Sequence, residues 1–199
     1  MYHRLTTLGG SNMKNILALF SVTLFLASCT FPSMAVKAEK DEVTAQGLRP
    51  DSLCAADEGI IFTCPVAGQK LLSVCASQEY GPDLGFLQYR YGPDGEPEMI
   101  LPAVKTAPAK AAQSGMLMFS GGGGAYLQFR DGVTIYTVYS AIGRWGDAGQ
   151  TIEREGGTAH KGGRIIADIP CQAAAVSELG PAFFEKAGLP ETEDDFDLP

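Results

Sequence analysis

A chain of 199 residues with 45% hydrophobic content has room for one domain and enough apolar material for a core, which sets it apart from disordered chains. All 23 acidic residues follow Ala38, while Arg4, Lys14 and Lys37 precede them, so the remainder carries 12 basic against 23 acidic groups, a net charge of −11. That balance excludes nucleic acid and anionic lipid surfaces as partners and favours a basic one.

The first segment is a processing signal rather than core. Lys14 follows Met13, and residues 16–26 form an apolar run broken only by Ser21 and Thr23, followed by small residues. A basic region, a short apolar stretch and small residues make a secretory signal. The run is too short to span a bilayer, which takes about 20 apolar residues. Residues 1–12 fit no signal grammar, leaving Met13 as an alternative start. Two cleavage sites compete. Leu26-Ala27-Ser28-Cys29 has the form of a lipobox, with Cys29 lipidated as the mature N-terminus; the rival is ordinary cleavage after Ala35. Parity favours the first: setting Cys29 aside leaves Cys54, Cys64, Cys75 and Cys171, an even set for two bridges. The expected location is the periplasm of a Gram-negative bacterium, with the lipid as the only attachment to a membrane. Without it the chain is soluble in the periplasm or secreted. The chain thus divides into a signal segment (1–29), a polar tether (30–50), a disulfide-bonded β domain (51–190) and an acidic tail (191–199).

Strand signals begin after the tether. Residues 59–64 (GIIFTC) and 69–75 (QKLLSVC) flank the turn Pro65-Val66-Ala67-Gly68 and predict a hairpin. Residues 86–91 alternate, with Phe86, Gln88 and Arg90 on one face and Leu87, Tyr89 and Tyr91 on the other. Gly92-Pro93-Asp94-Gly95 is a turn, residues 98–101 a strand, and residues 106–114 a loop. Further strands are expected at 116–119, 125–130, 133–142, 151–155 and 164–170. Phe86-Leu87-Gln88-Tyr89-Arg90 returns as Tyr126-Leu127-Gln128-Phe129-Arg130, which suits two equivalent hairpins. Residues 181–188 read as a short helix, with Pro181 in the first turn and Gly188 just past the end. The expected fold is all-β, a mainly antiparallel small barrel or sandwich with a short C-terminal helix. The tail beyond it, rich in Asp and Glu, reads as solvated.

Hairpin geometry assigns the bridges. If Cys64 and Gln69 flank the turn, Cys75 lies about five residues further along its strand, or ~17 Å from Cys64. A disulfide needs Cα atoms within about 7 Å. That disfavours Cys64–Cys75; Cys54, just before the first strand, returns beside Cys75, which leaves Cys64 for Cys171, the arrangement expected here.

Few constellations carry chemistry. His160 sits in the glycine-rich residues 156–163 without further ligands at metal spacing and reads as a turn residue; no metal or cofactor is expected. Ser120-Gly121-Gly122-Gly123-Gly124 lacks the Lys-Ser/Thr ending of a phosphate loop and reads as a flexible turn, unbulky enough to enter a partner's cleft. Tyr126, Tyr139 and Trp145, with Arg130 and Arg144, lie close by in sequence. Together with Ser120, Gly122, Gly123 and Gly124 they form the candidate contact surface, since aromatics and Arg dominate binding hot spots.

Phe62-Thr63-Cys64, Ser73-Val74-Cys75-Ala76-Ser77, Leu87-Gln88-Tyr89-Arg90-Tyr91-Gly92, Val138-Tyr139-Ser140 and Ala187-Gly188-Leu189-Pro190 resemble a family of secreted bacterial proteins. This resemblance runs over most of residues 54–199 and brings no activity with it. A fainter one is to the periplasmic and membrane-bound inhibitors of c-type lysozyme. Those are small β-barrels with an early aromatic-x-Cys strand, a late bridging cysteine and a Ser/Gly/Ala-rich loop ending in Tyr. Phe62-Thr63-Cys64, Cys171 and residues 120–126 stand in comparable places, but no Arg precedes Tyr126 and this domain is larger. The acidic net charge, the glycine loop and the missing catalytic set point to a non-enzymatic envelope binding protein with a basic envelope or foreign protein as partner, and the resemblance implies lysozyme as that partner. The alternatives are an envelope hydrolase using His160 and a structural lipoprotein.

Overall fold

The computed structural model describes residues 49–194 and 196–199. The signal segment, Cys29, Ala35 and the tether up to residue 48 lie outside the described residues. In chain order the strands are β1 (Glu58–Val66), β2 (Lys70–Ser77), β3 (Leu87–Pro93), β4 (Met99–Leu101), β5 (Gln113–Phe119), β6 (Gly122–Asp131), β7 (Thr134–Gly143), β8 (Ile152–Lys161), β9 (Arg164–Pro170) and β10 (Val176–Ser177). They make two five-stranded antiparallel sheets, β10-β1-β2-β3-β4 and β5-β6-β7-β8-β9, the all-β sandwich that alternation and turn spacing predicted.

Apolar side chains on alternate positions fill the space between the sheets. Phe62, Leu72, Val74, Leu87 and Tyr89 of the first sheet meet Ala125, Leu127, Phe129 and Val138 of the second. Burying each large side chain contributes about 1.5–3 kcal/mol. Helix α2 (Pro181–Ala187) inserts Phe183, Phe184 and Ala187 into the same core. Gly188 caps it in the left-handed conformation at φ 61°, donating its N–H to the Glu185 carbonyl at 3.1 Å.

The excursion expected as loop contains a short helix, α1 (Pro108–Ala111), and β5 already begins at Gln113. β8 runs on to Lys161, so the stretch containing His160 is strand up to that point and not a loop. Glycine misleads here because it serves close packing: a Cβ on Gly157 would stand 2.9 Å from a Leu72 methyl of the facing sheet.

The pentapeptide echo places β3 and β6 opposite each other, in different sheets and not in neighbouring hairpins. Leu87 and Tyr89 point into the core from one side and Leu127 and Phe129 from the other, with the Tyr89 and Phe129 rings 5.9 Å apart. Phe86, Gln88, Arg90 and Tyr126, Gln128, Arg130 then face outward, and chain segments cover both rows. Over the first sheet, Arg90 pairs with Glu58, Gln88 Nε2 donates to the Pro102 carbonyl at 2.8 Å, and the Lys105 ammonium lies 4.1 Å from the Phe86 ring centre. Over the second sheet lies the C-terminal tail. Arg130 pairs with Asp194, Thr192 Oγ1 donates to Gln128 Oε1 at 2.7 Å, and the Phe196 ring is 5.0 Å from Tyr126. The tail is thus docked and not a solvated end: Phe196 is 7% exposed despite its acidic neighbours, because the Tyr126 and Tyr139 rings receive it.

Both predicted bridges are present. Cys54–Cys75 staples residues 49–57 to the outer face of the first sheet. Cys64–Cys171 joins β1 to the residue just after β9 and so links the two sheets.

Candidate functional site

The β5–β6 hairpin turns at Ser120 and Gly121, the latter at φ +82°. Gly122, Gly123 and Gly124 are not part of a flexible turn. They lie within β6, opposite Phe119, Met118 and Leu117 of β5, and Gly123 and Gly124 also pair with Ile142 and Ala141 of β7. Gly124 and, on the neighbouring strand, Gly143 are demanded by close neighbours. A Cβ on Gly124 would come within 2.6 Å of Ala141 Cβ, and one on Gly143 within 2.6 Å of the Trp145 ring. Phe119 and Trp145 stack over this bare backbone at 5.0 Å, with the Arg154 guanidinium 4.8 Å from the indole centre and the Arg144 side chain lying against Gly121.

On the core side of the same strands, the second sheet extends beyond the cover of the first. Met116, Met118 and Ile142 are 47%, 89% and 46% exposed. Met116 and Ile142 belong to an open groove with a cavity of about 350 Å³, floored by Gly123 and Ala125, bordered by Ser140 and Glu153, and closed at one end by residues 179–181; Met118 follows Met116 along β5. Alongside it a cavity of about 240 Å³ lies between Glu153, Glu155 and Gln172. Glu155 is fixed, accepting from Ser140 Oγ at 2.8 Å and from the Ala175 N–H at 2.7 Å. The groove therefore presents a deformable methionine wall and a carboxylate edge, suited to an apolar segment that carries a positive charge.

The nine residues predicted as one surface fall into two groups. Ser120, Gly122, Gly123, Gly124, Arg144 and Trp145 gather around the hairpin end. Tyr126 and Tyr139 are register partners further along the outer face, 5.0 and 5.5 Å from the Phe196 ring, and Arg130 is engaged by Asp194. Burial, reinforced by the Asp168 carboxylate, pushes the Tyr139 phenol up to about 12. His160 faces Phe196 at 6.2 Å. Among the described residues no three His, Cys, Asp or Glu side chains converge as a metal site, and no helix is long and apolar enough to cross a membrane. Sequence reasoning missed Met116, Met118 and Ile142, whose exposure depends on how far the facing sheet reaches. It also missed Phe196, whose signal was a lone aromatic in an acidic run.

The chain matches no family model, no curated protein and no solved structure.

Proposed function

We propose that this chain is an exported, non-enzymatic binding protein, lipidated at Cys29, which uses the groove at the glycine-rich end of the second sheet to hold a basic, partly apolar segment of another protein. The observation that carries this reading is the groove in which the exposed Met116 and Ile142 stand beside Glu153, with the exposed Met118 next along β5. The net charge of −11 beyond Ala38 favours encounter with a basic partner. Two disulfides fit an oxidising compartment outside the cytoplasm.

The resemblance to inhibitors of c-type lysozyme makes lysozyme the first partner to try. With Gly122–Gly124 held in the ladder, contact runs through the Ser120–Gly121 turn and the methionine wall, not through an inserted glycine loop. Titration of the mature domain against c-type lysozyme at moderate salt is expected to reduce lysis, and Met118→Asp with Glu153→Lys to restore it. Full lytic activity at excess protein rejects lysozyme as the partner. Recovery of the same envelope proteins by wild type and by the double variant rejects the groove.

A further inference from the structure

The outer face of the second sheet carries a different cavity, of about 380 Å³, bordered by Asp194, Phe196 and Asp197 of the tail. Gln128, Thr137 and His160 line it from the sheet, and strand register sets Thr158 of β8 beside Thr137. Thr137 and Thr158 are each 1% exposed, and neither hydroxyl has a hydrogen-bond partner. His160 Nε2, two residues along β8 on the same side, is likewise buried without one. An unpaired buried hydroxyl is costly, and valine fills the same volume without that cost. Two of these orphan atoms, Thr137 Oγ1 and His160 Nε2, belong to residues that line the cavity and the third lies on the neighbouring strand, which marks a place built for something that bonds to them.

The surroundings specify its chemistry. The Thr137 hydroxyl both donates and accepts, as does that of Thr158 beside it, the Asp194 and Asp197 carboxylates accept, and Ile135 and the Phe196 ring offer apolar surface. A neutral polyhydroxylated ring satisfies this set: its hydroxyls bond to threonine, imidazole and carboxylate, and its C–H face lies on the aromatic ring. We propose that the cavity is a saccharide site and that the tail is its strap. The strap is held by the Arg130–Asp194 pair at about half exposure and by Phe196 between Tyr126 and Tyr139, contacts that release without disturbing the sheet.

The test is calorimetry and ligand-observed NMR on the full mature protein with glucose, N-acetylglucosamine and maltose at up to about 10 mM, well above a weak millimolar Kd. At least one is expected to bind. Thr137→Val with Thr158→Val is expected to weaken that binding by roughly tenfold or more, while the melting temperature holds or rises because the orphan hydroxyls are gone. No binding by any of the three sugars overturns the proposal, as does unchanged affinity in the double variant. Phe196→Ala removes both the strap's anchor and the ring on which the sugar lies: faster association together with faster dissociation is expected, and an unchanged association rate removes the strap from the mechanism.

Discussion

Arg90 grips Glu58 with both terminal nitrogens, Nη1 to Oε2 at 2.6 Å and Nη2 to Oε1 at 3.0 Å, beneath the segment that Cys54 staples to the first sheet. Lys105 adds a third cation at 3.0 Å, and the Ala55 N–H donates to the same carboxylate at 2.9 Å. Burial alone raises the pKa of such a group. The hydrogen bonds from Arg90, Ala55 and Lys105 outweigh it and bring Glu58 down to about 2.

That depression makes stability depend on acid. The folded pKa lies below the ordinary value of 4.5, so the stabilisation is fully present above pH 4.5 and is lost as pH falls toward about 2. A shift of this size is worth about 3 kcal/mol. Urea unfolding followed from pH 7 to pH 2 is expected to show that loss in the wild type. Glu58→Gln is expected to start lower, since it strands a buried guanidinium, and to have a shallower slope between pH 4.5 and 2. Equal slopes remove Glu58 as the acid-sensitive group.

The two bridges differ in what they constrain. Cys64–Cys171 spans a sequence separation of 107 and Cys54–Cys75 one of 21. Loop-closure entropy values these at about 5 and about 3 kcal/mol. Non-reducing peptide mapping is expected to recover both pairs, and Cys64→Ala/Cys171→Ala to melt well below Cys54→Ala/Cys75→Ala. Equal losses contradict the entropic account, and a Cys64–Cys75 peptide contradicts the pairing itself.

The pairing was legible in the sequence because a regular hairpin keeps Cys64 and Cys75 apart by strand rise and sets the residues before its first strand beside the end of its second, where Cys54 meets Cys75. The core-facing residues of β3 and β6 were legible for a similar reason: alternation assigns Leu87, Tyr89, Leu127 and Phe129 to one side wherever the strands end up. What alternation leaves out is which sheet each strand joins, so the two echoes looked like neighbours when they face each other. Glycine was the chief source of error. Gly124 and Gly157 read as loop, yet both are strand residues whose missing side chains admit Ala141 and Leu72. The docked tail was hidden because its buried aromatic, Phe196, finds its partners on strands far away in sequence.

Gly124 offers a test whose sign separates the two readings. In an open loop, Gly→Ala stabilises by about 0.4–1 kcal/mol by restricting the unfolded chain. Within β6, the added methyl meets Ala141 Cβ and the Ser140 carbonyl oxygen at 2.6 Å, backbone and side chain that are themselves packed. Gly124→Ala is therefore expected to destabilise by about 1–3 kcal/mol, measured by thermal or urea melts. A rise in stability restores the flexible-loop reading.

Processing is expected to follow the Leu26-Ala27-Ser28-Cys29 sequence. Intact mass of the protein from the membrane fraction should give a chain beginning at an acylated Cys29. A lipid-free chain beginning at Val36 assigns ordinary signal cleavage instead, and Cys29→Ala then leaves the location unchanged.

The tail completes the fold at one ring. Thr192 N–H donates to the Ser114 carbonyl at 2.9 Å, a bond that persists only while the segment lies on the sheet, and Asp194 N–H donates to Thr192 Oγ1 at 3.1 Å, a turn within the tail whose hydroxyl is itself held by Gln128. Phe196 is the apolar contact holding it there, and losing its burial removes about 2 kcal/mol. Because the tail is peripheral to the main core, that loss falls on local opening and not on global unfolding. In Phe196→Ala, the amides of Thr192 and Asp194 are expected to exchange with solvent about thirtyfold faster, while the core amides of Leu127 and Val138 keep their protection. Hydrogen exchange read by NMR decides it. Unchanged rates at Thr192 and Asp194 mean that the Arg130–Asp194 pair and the Thr192–Gln128 bond hold the tail without the ring. Loss of protection at Leu127 instead makes the tail part of the cooperative core.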